Sequence, residues 1–105
     1  MPISIDCLPQ REVMPGFLGR FLHTGASTLV FWEVAAGAVL PEHAHVHVQT
    51  TQVLEGIFEM HIDGEMHTCQ PGSICVIPSG IRHGGKALSA CRLLDTFSPE
   101  REDYR

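Results

Sequence analysis

At 105 residues and 44% hydrophobic content, the chain is long enough for one domain with a modest core and too short for two, so residues 1–105 are expected to form a single unit. A net charge of −5 and a single lysine, Lys86, leave no basic stripe to neutralise a phosphate backbone, and no nucleic-acid partner is expected. No apolar run approaches the roughly 20 residues that cross a bilayer, so no membrane role is expected either.

The N-terminus, Met-Pro-Ile-Ser-Ile-Asp, lacks the basic and apolar regions of a signal peptide. Cys7, Cys69, Cys75 and Cys91 show no C-x2-C spacing. Together these predict a reduced, cytoplasmic protein whose thiols fill the core. Cys91 shares strand parity with Asp95 and Phe97 and is expected to face the same interior.

The segment up to Gly16 reads as an edge strand, open to pairing with another subunit. From Thr28 to Ala36, Leu29, Phe31 and Glu33 alternate with Val30, Trp32 and Val34, a strand with both faces mostly covered. Next come His43 and His45, which on an extended strand would put both imidazoles on one face. Gln49 on a straight strand would be carried about 13 Å away, so the chain must turn within Ala44 to Val48 for it to join them.

Strands over Ile57 to Ile62 and Glu65 to Gln70 flank Asp63-Gly64, a pair suited to the positive φ angles of a two-residue hairpin. A further apolar run spans Ser73 to Ile77 and stops at Pro78, and a last strand spans Ala90 to Phe97. Ser98-Pro99-Glu100-Arg101 predicts one helical turn, with Ser98 as N-cap and proline at the first helical position. With no helices to cover a parallel sheet, the expected fold is all-β, a small antiparallel sandwich or barrel.

Glycines and prolines frame the histidines as Gly37-x5-His43-x-His45-x3-Gln49-x6-Gly56 and Gly72-x5-Pro78-x-Gly80-x2-His83, two turn-punctuated strand pairs. The spacing predicts one divalent transition metal on His43, His45, Gln49 and His83. Nitrogen and amide-oxygen ligands suit nickel, zinc, iron, manganese or cobalt. His47 is expected in or near the turn, Glu42 on the opposite face, and His23, His61 and His67 away from the metal.

These two motifs, over residues 37–56 and 72–87, resemble those of the cupins, jelly-roll β-barrels. Cupins usually carry glutamate where this chain has Gln49, and often asparagine where it has Ala87. Glutamine at that position is similar to the pectin-degradation cupins of KdgF type, whose Asp-x-Phe-Ser-Pro-x-Arg-x-Asp-Tyr ending the tail Asp95 to Tyr104 also resembles. That resemblance implies active-site roles for Asp95, Phe97 and Arg101. It also implies a reaction, the ring opening of anionic 4,5-unsaturated monouronates from pectin or alginate to 4-deoxy-5-keto-uronates, and a homodimer is expected with it. Each residue has a plainer reading: Asp95 in an ion pair with Arg82 or Arg92, Phe97 in the core, Arg101 solvated in a charged tail. An iron-dependent dioxygenase and a non-catalytic sugar- or metabolite-binding module remain the alternative functions.

Overall fold

The structure, a computed structural model, describes residues 1–105. Ten strands run in chain order: β1 Gln10–Met14, β2 Phe17–His23, β3 Thr28–Val34, β4 Val39–His43, β5 Val48–Glu55, β6 Phe58–Ile62, β7 Glu65–Cys69, β8 Ile74–Ile77, β9 His83–Ala87 and β10 Cys91–Ser98. They form two antiparallel sheets, a six-stranded one ordered β1-β2-β3-β10-β5-β8 and a four-stranded one ordered β4-β9-β6-β7. Helix is confined to single 3-10 turns at Ile5–Cys7 and Glu102–Tyr104. No helix is long and apolar enough to cross a membrane.

Period-two alternation explains the packing. On β3, Thr28, Val30, Trp32 and Val34 point inward, and on β10 Cys91, Leu93, Asp95 and Phe97 do the same. These inward rows meet Phe58 and Met60 of β6, so the apolar core lies between the sheets. Two turns use positive φ as the spacing predicts. Asp63 and Gly64 have φ of 50° and 81° in the β6–β7 hairpin, and Gly56, at 81°, sits where a Cβ would collide with the Ala90 carbonyl oxygen.

Three details refine the expected layout. β2 falls where the sequence predicts no strand, and β1 pairs with it along one side only, so the N-terminal segment is the edge strand expected, with its outer side open. The helical turn begins at Glu102, not after Ser98, because Ser98 stays in the ladder opposite Val48 and the Arg101 backbone N–H donates to the Thr28 hydroxyl at 2.9 Å. Cys91 does face inward, but its thiol donates to the Ile57 and Ser89 carbonyls at 3.2 Å in the β5–β6 and β9–β10 connections, away from the histidines.

Candidate metal centre

His43 ends β4 directly opposite His83, the first residue of β9, which sets their rings 4.3 Å apart between centroids and tilted by 54°. His45 is not on a strand with His43. The chain leaves β4 after His43, and His45 lies in the connection to β5, where its carbonyl oxygen accepts from the Gly80 N–H at 2.8 Å. The turn within residues 44–47 then brings Gln49 back. Ligand-capable nitrogens of His43, His45 and His83 all fall within 4.8 Å of one another. Gln49 Oε1 lies 3.0 Å from His45 Nε2 and 3.1 Å from His83 Nε2.

Proton bookkeeping decides what this cluster accepts. His43 Nδ1 faces the Pro41 carbonyl at 2.9 Å, His45 Nδ1 faces that of His47 at 3.1 Å, and His83 Nδ1 faces that of Ile81 at 2.9 Å. A carbonyl oxygen only accepts, so each Nδ1 carries the proton and each neutral ring is left with a bare lone pair on Nε2. The Gln49 amide is oriented as well: its NH2 donates to Thr51 Oγ1 at 2.9 Å, which turns its oxygen toward the histidines. Three nitrogen lone pairs and an amide oxygen therefore converge without a donor among them.

Protonation is a poor remedy. Burial holds His83 down to about 4 and lowers His45, so imidazolium is disfavoured there. A divalent cation satisfies all four atoms, and the donor set fits one.

Deeper in the same cleft, Asp95 is only 8% exposed. Its Oδ1 accepts from the Thr51 hydroxyl at 2.5 Å and its Oδ2 from the Trp32 indole N–H at 2.9 Å. Burial raises its carboxyl to about 6 against the pull of those donors. The ordinary ion pair is absent, because Arg82 faces Glu42 and Arg92 faces Glu55. That first pair also places Glu42 outside the cluster.

Arg101 is likewise 8% exposed rather than solvated. Its Nε and Nη2 donate to the Asp103 carboxylate at 3.1 and 2.6 Å, and its guanidinium lies 4.0 Å over the Tyr104 ring and 4.8 Å over Phe97. Phe97 is both core and wall, fully buried yet edge-on to His45 at 5.6 Å. The cleft, about 420 Å³ counted to its open mouth, is lined by His43, Gln49, Asp95, Phe97 and Arg101 together.

Sequence reasoning missed Thr51, Trp32 and Tyr104. Thr51 carried a signal, since it shares strand parity with Gln49. Of the remaining histidines, His61 and His67 pair with Glu59 and Glu65, and His23 with Thr28, all away from the cluster. His47 sits beside it, with its ring 5.4 Å from that of His45 and a buried Nδ1 that has no partner.

A cupin-domain family model matches residues 30–97. The chain belongs to the cupin family. This cupin is 36% identical over 72 residues to the pectin degradation protein KdgF of Dickeya dadantii (strain 3937), a match that takes in 67% of the chain and 66% of that relative's length. Its fold superposes on the structure of KdgF from Halomonas sp. with a TM-score of 0.87 at 33% identity, covering 92% of this chain and 91% of the other. An RmlC-like cupin from Shewanella frigidimarina NCIMB 400 gives a TM-score of 0.90 at 29% identity, over 95% and 91%. The cupin is thus KdgF-like in sequence and in fold.

Proposed function

We propose that this cupin is a metal-dependent isomerase that opens the ring of 4,5-unsaturated monouronates from pectin or alginate, giving linear 4-deoxy-5-keto-uronates. The observation that carries the reading is that Asp95, Phe97 and Arg101 line the same cleft as His43 and Gln49. Similarity to a pectin degradation protein supports it.

An ion on His43, His45, Gln49 and His83 would supply Lewis acidity and a positive field for an anionic sugar, undiminished because every ligand is neutral. The remaining work falls to side chains. Arg101 binds the uronate carboxylate with the N–H donors that Asp103 does not occupy, held in place by Tyr104 and Phe97. Phe97 supplies a flat wall for the sugar ring.

Ring opening removes the anomeric hydroxyl proton, releases the ring oxygen as an enol and protonates the neighbouring carbon, so one proton leaves and one returns. A carboxyl held at about 6 is mostly ionised at neutral pH yet takes a proton readily, which suits Asp95 to both transfers. Thr51 and Trp32 fix the carboxylate plane while this happens.

The test follows the ultraviolet absorbance of the enol ether in a 4,5-unsaturated monouronate mixed with metal-loaded protein, beside metal-stripped and Asp95→Ala samples. Rapid loss confined to the intact, loaded protein is expected. A rate equal to buffer overturns the isomerase reading and directs attention to oxygen consumption by the ferrous form.

The partner we infer is a second copy of the chain. β8 is an outer strand of the six-stranded sheet, paired on one side only, and its outward Ile74 and Val76 are 60% and 61% exposed. Light scattering should give twice the chain mass, reduced to one by Val76→Asp. A monomer at micromolar concentration overturns it.

A further inference from the structure

We propose that Cys69 and Cys75 form an oxidisable dithiol, a covalent modification site at which a hydroperoxide generates a disulfide that staples the two sheets together. Cys69 ends β7 in the four-stranded sheet and Cys75 lies on β8 in the six-stranded sheet. Their sulfurs are 3.1 Å apart.

The turn between them is braced on every side. Ser73 N–H donates to the Gln70 carbonyl at 2.8 Å, the Gln70 N–H donates to Ser73 Oγ at 3.2 Å, and the Val53 N–H of β5 donates to the Ser73 carbonyl at 3.2 Å. Gly72, at φ 94°, allows the reversal. Proximity of the thiols is therefore built into the backbone, and closing the bond orders little that is not already fixed. The other cysteines lack such a neighbour: Cys91 is bonded to two carbonyls, and Cys7 is exposed on the N-terminal turn.

Cys75 is half-buried and Cys69 is 4% exposed, so the oxidant meets Cys75 first. Its thiolate attacks one peroxide oxygen, the O–O bond breaks, and a sulfenic acid forms with release of water or alcohol. Cys69 sulfur then attacks the Cys75 sulfur, the S–O bond breaks, and the departing hydroxide takes the Cys69 proton to leave as water. The two thiols lose two electrons and two protons, and the peroxide is reduced.

β8 has a ladder partner on one side only, β5, and its Cys75 stands opposite Thr51 and its Ile77 opposite Gln49. A disulfide here would anchor the outer strand that backs the Gln49–Thr51 row.

The experiment uses the Cys7→Ser protein, which removes intermolecular bridging through Cys7, treated with hydrogen peroxide. Expected results are two fewer free thiols after denaturation, a peptide linking Cys69 to Cys75, restoration by dithiothreitol, and slower hydrogen exchange of β8 amides in the oxidised form. In Cys69→Ala on the same background, Cys75 should end as sulfenic or sulfinic acid with no bridge; if that variant is unfolded, peptide mapping of the Cys7→Ser protein decides alone. An unchanged thiol count, or Cys75 over-oxidised while Cys69 stays free in the Cys7→Ser protein, overturns the proposal.

Discussion

The Asp95 carboxylate and the Gln49 side-chain amide share a single hydroxyl, that of Thr51, which donates to Asp95 at 2.5 Å and accepts from Gln49 at 2.9 Å. A hydroxyl has one proton, so the direction of both bonds is fixed by the acceptor-only carboxylate. The charge on Asp95 thereby sets which atom of Gln49 faces the histidines.

Thr51→Val keeps the shape and removes the hydroxyl. It leaves the buried Gln49 NH2 without its acceptor and Asp95 without one donor, a loss of about 1–3 kcal/mol in stability. Freed from its orienting bond, Gln49 is expected to lower metal affinity by roughly 10–100-fold, the usual cost of losing a partner behind a ligand. Competition with a chromophoric chelator measures it. Unchanged affinity would mean that Gln49 is oriented by something other than Thr51.

The Asp95 carboxyl is raised from 3.8 to about 6, so the folded protein holds this proton more tightly than the unfolded chain. Its destabilising contribution is absent below pH 3.8 and complete above pH 6, so stability from this group falls as pH rises through that window, by about 3 kcal/mol. The buried histidines push the opposite way, but they do so equally in Asp95→Asn. The difference in unfolding free energy between the two metal-stripped proteins should therefore slope between pH 4 and 6 and be flat above it. A flat difference throughout contradicts the burial effect.

Gln49→Glu substitutes the ligand more usual in cupins. A carboxylate would partly neutralise a bound ion and would also compete with Asp95 for the one Thr51 proton. Tighter metal binding, a higher apparent pKa for turnover and a lower kcat are expected on the monouronate. An unchanged pH profile would show that the hydroxyl does not couple the two acids.

Arg101→Lys retains the charge and loses the planar fork that spans Asp103 and lies over Tyr104. KM for the uronate should rise about tenfold or more, with a smaller fall in kcat, because the contact binds a part of the substrate remote from the bonds that change. Equal loss in kcat alone would move Arg101 from binding to chemistry.

Much of this was legible in the chain. The period-two rows of β3 and β10 and the Asp63-Gly64 hairpin follow from local rules, and the glycine-framed histidines point to a cluster by spacing alone. What stayed hidden depended on register. Trp32 reads as one more inward apolar residue of β3, and only the pairing of β10 with β3, Leu93 opposite Trp32, sets its indole N–H beside Asp95. β2 escaped notice because Gly19 and Arg20 interrupt its apolar alternation. A Cβ at Gly19 would press on Trp32 and Phe21, so the glycine is there for the aromatic core. Arg101 reads as solvated in a run of charges, and its burial follows from the Thr28 hydroxyl that pins its backbone N–H.

Each imidazole of the candidate metal centre is aimed by a carbonyl only two residues away: Pro41 for His43, His47 for His45 and Ile81 for His83. The aiming device travels with the histidine. Grafted as a three-residue unit onto a strand end or connection of another β-sandwich, each should carry its tautomer and ring direction along, leaving only the spacing of the units for the new scaffold to supply.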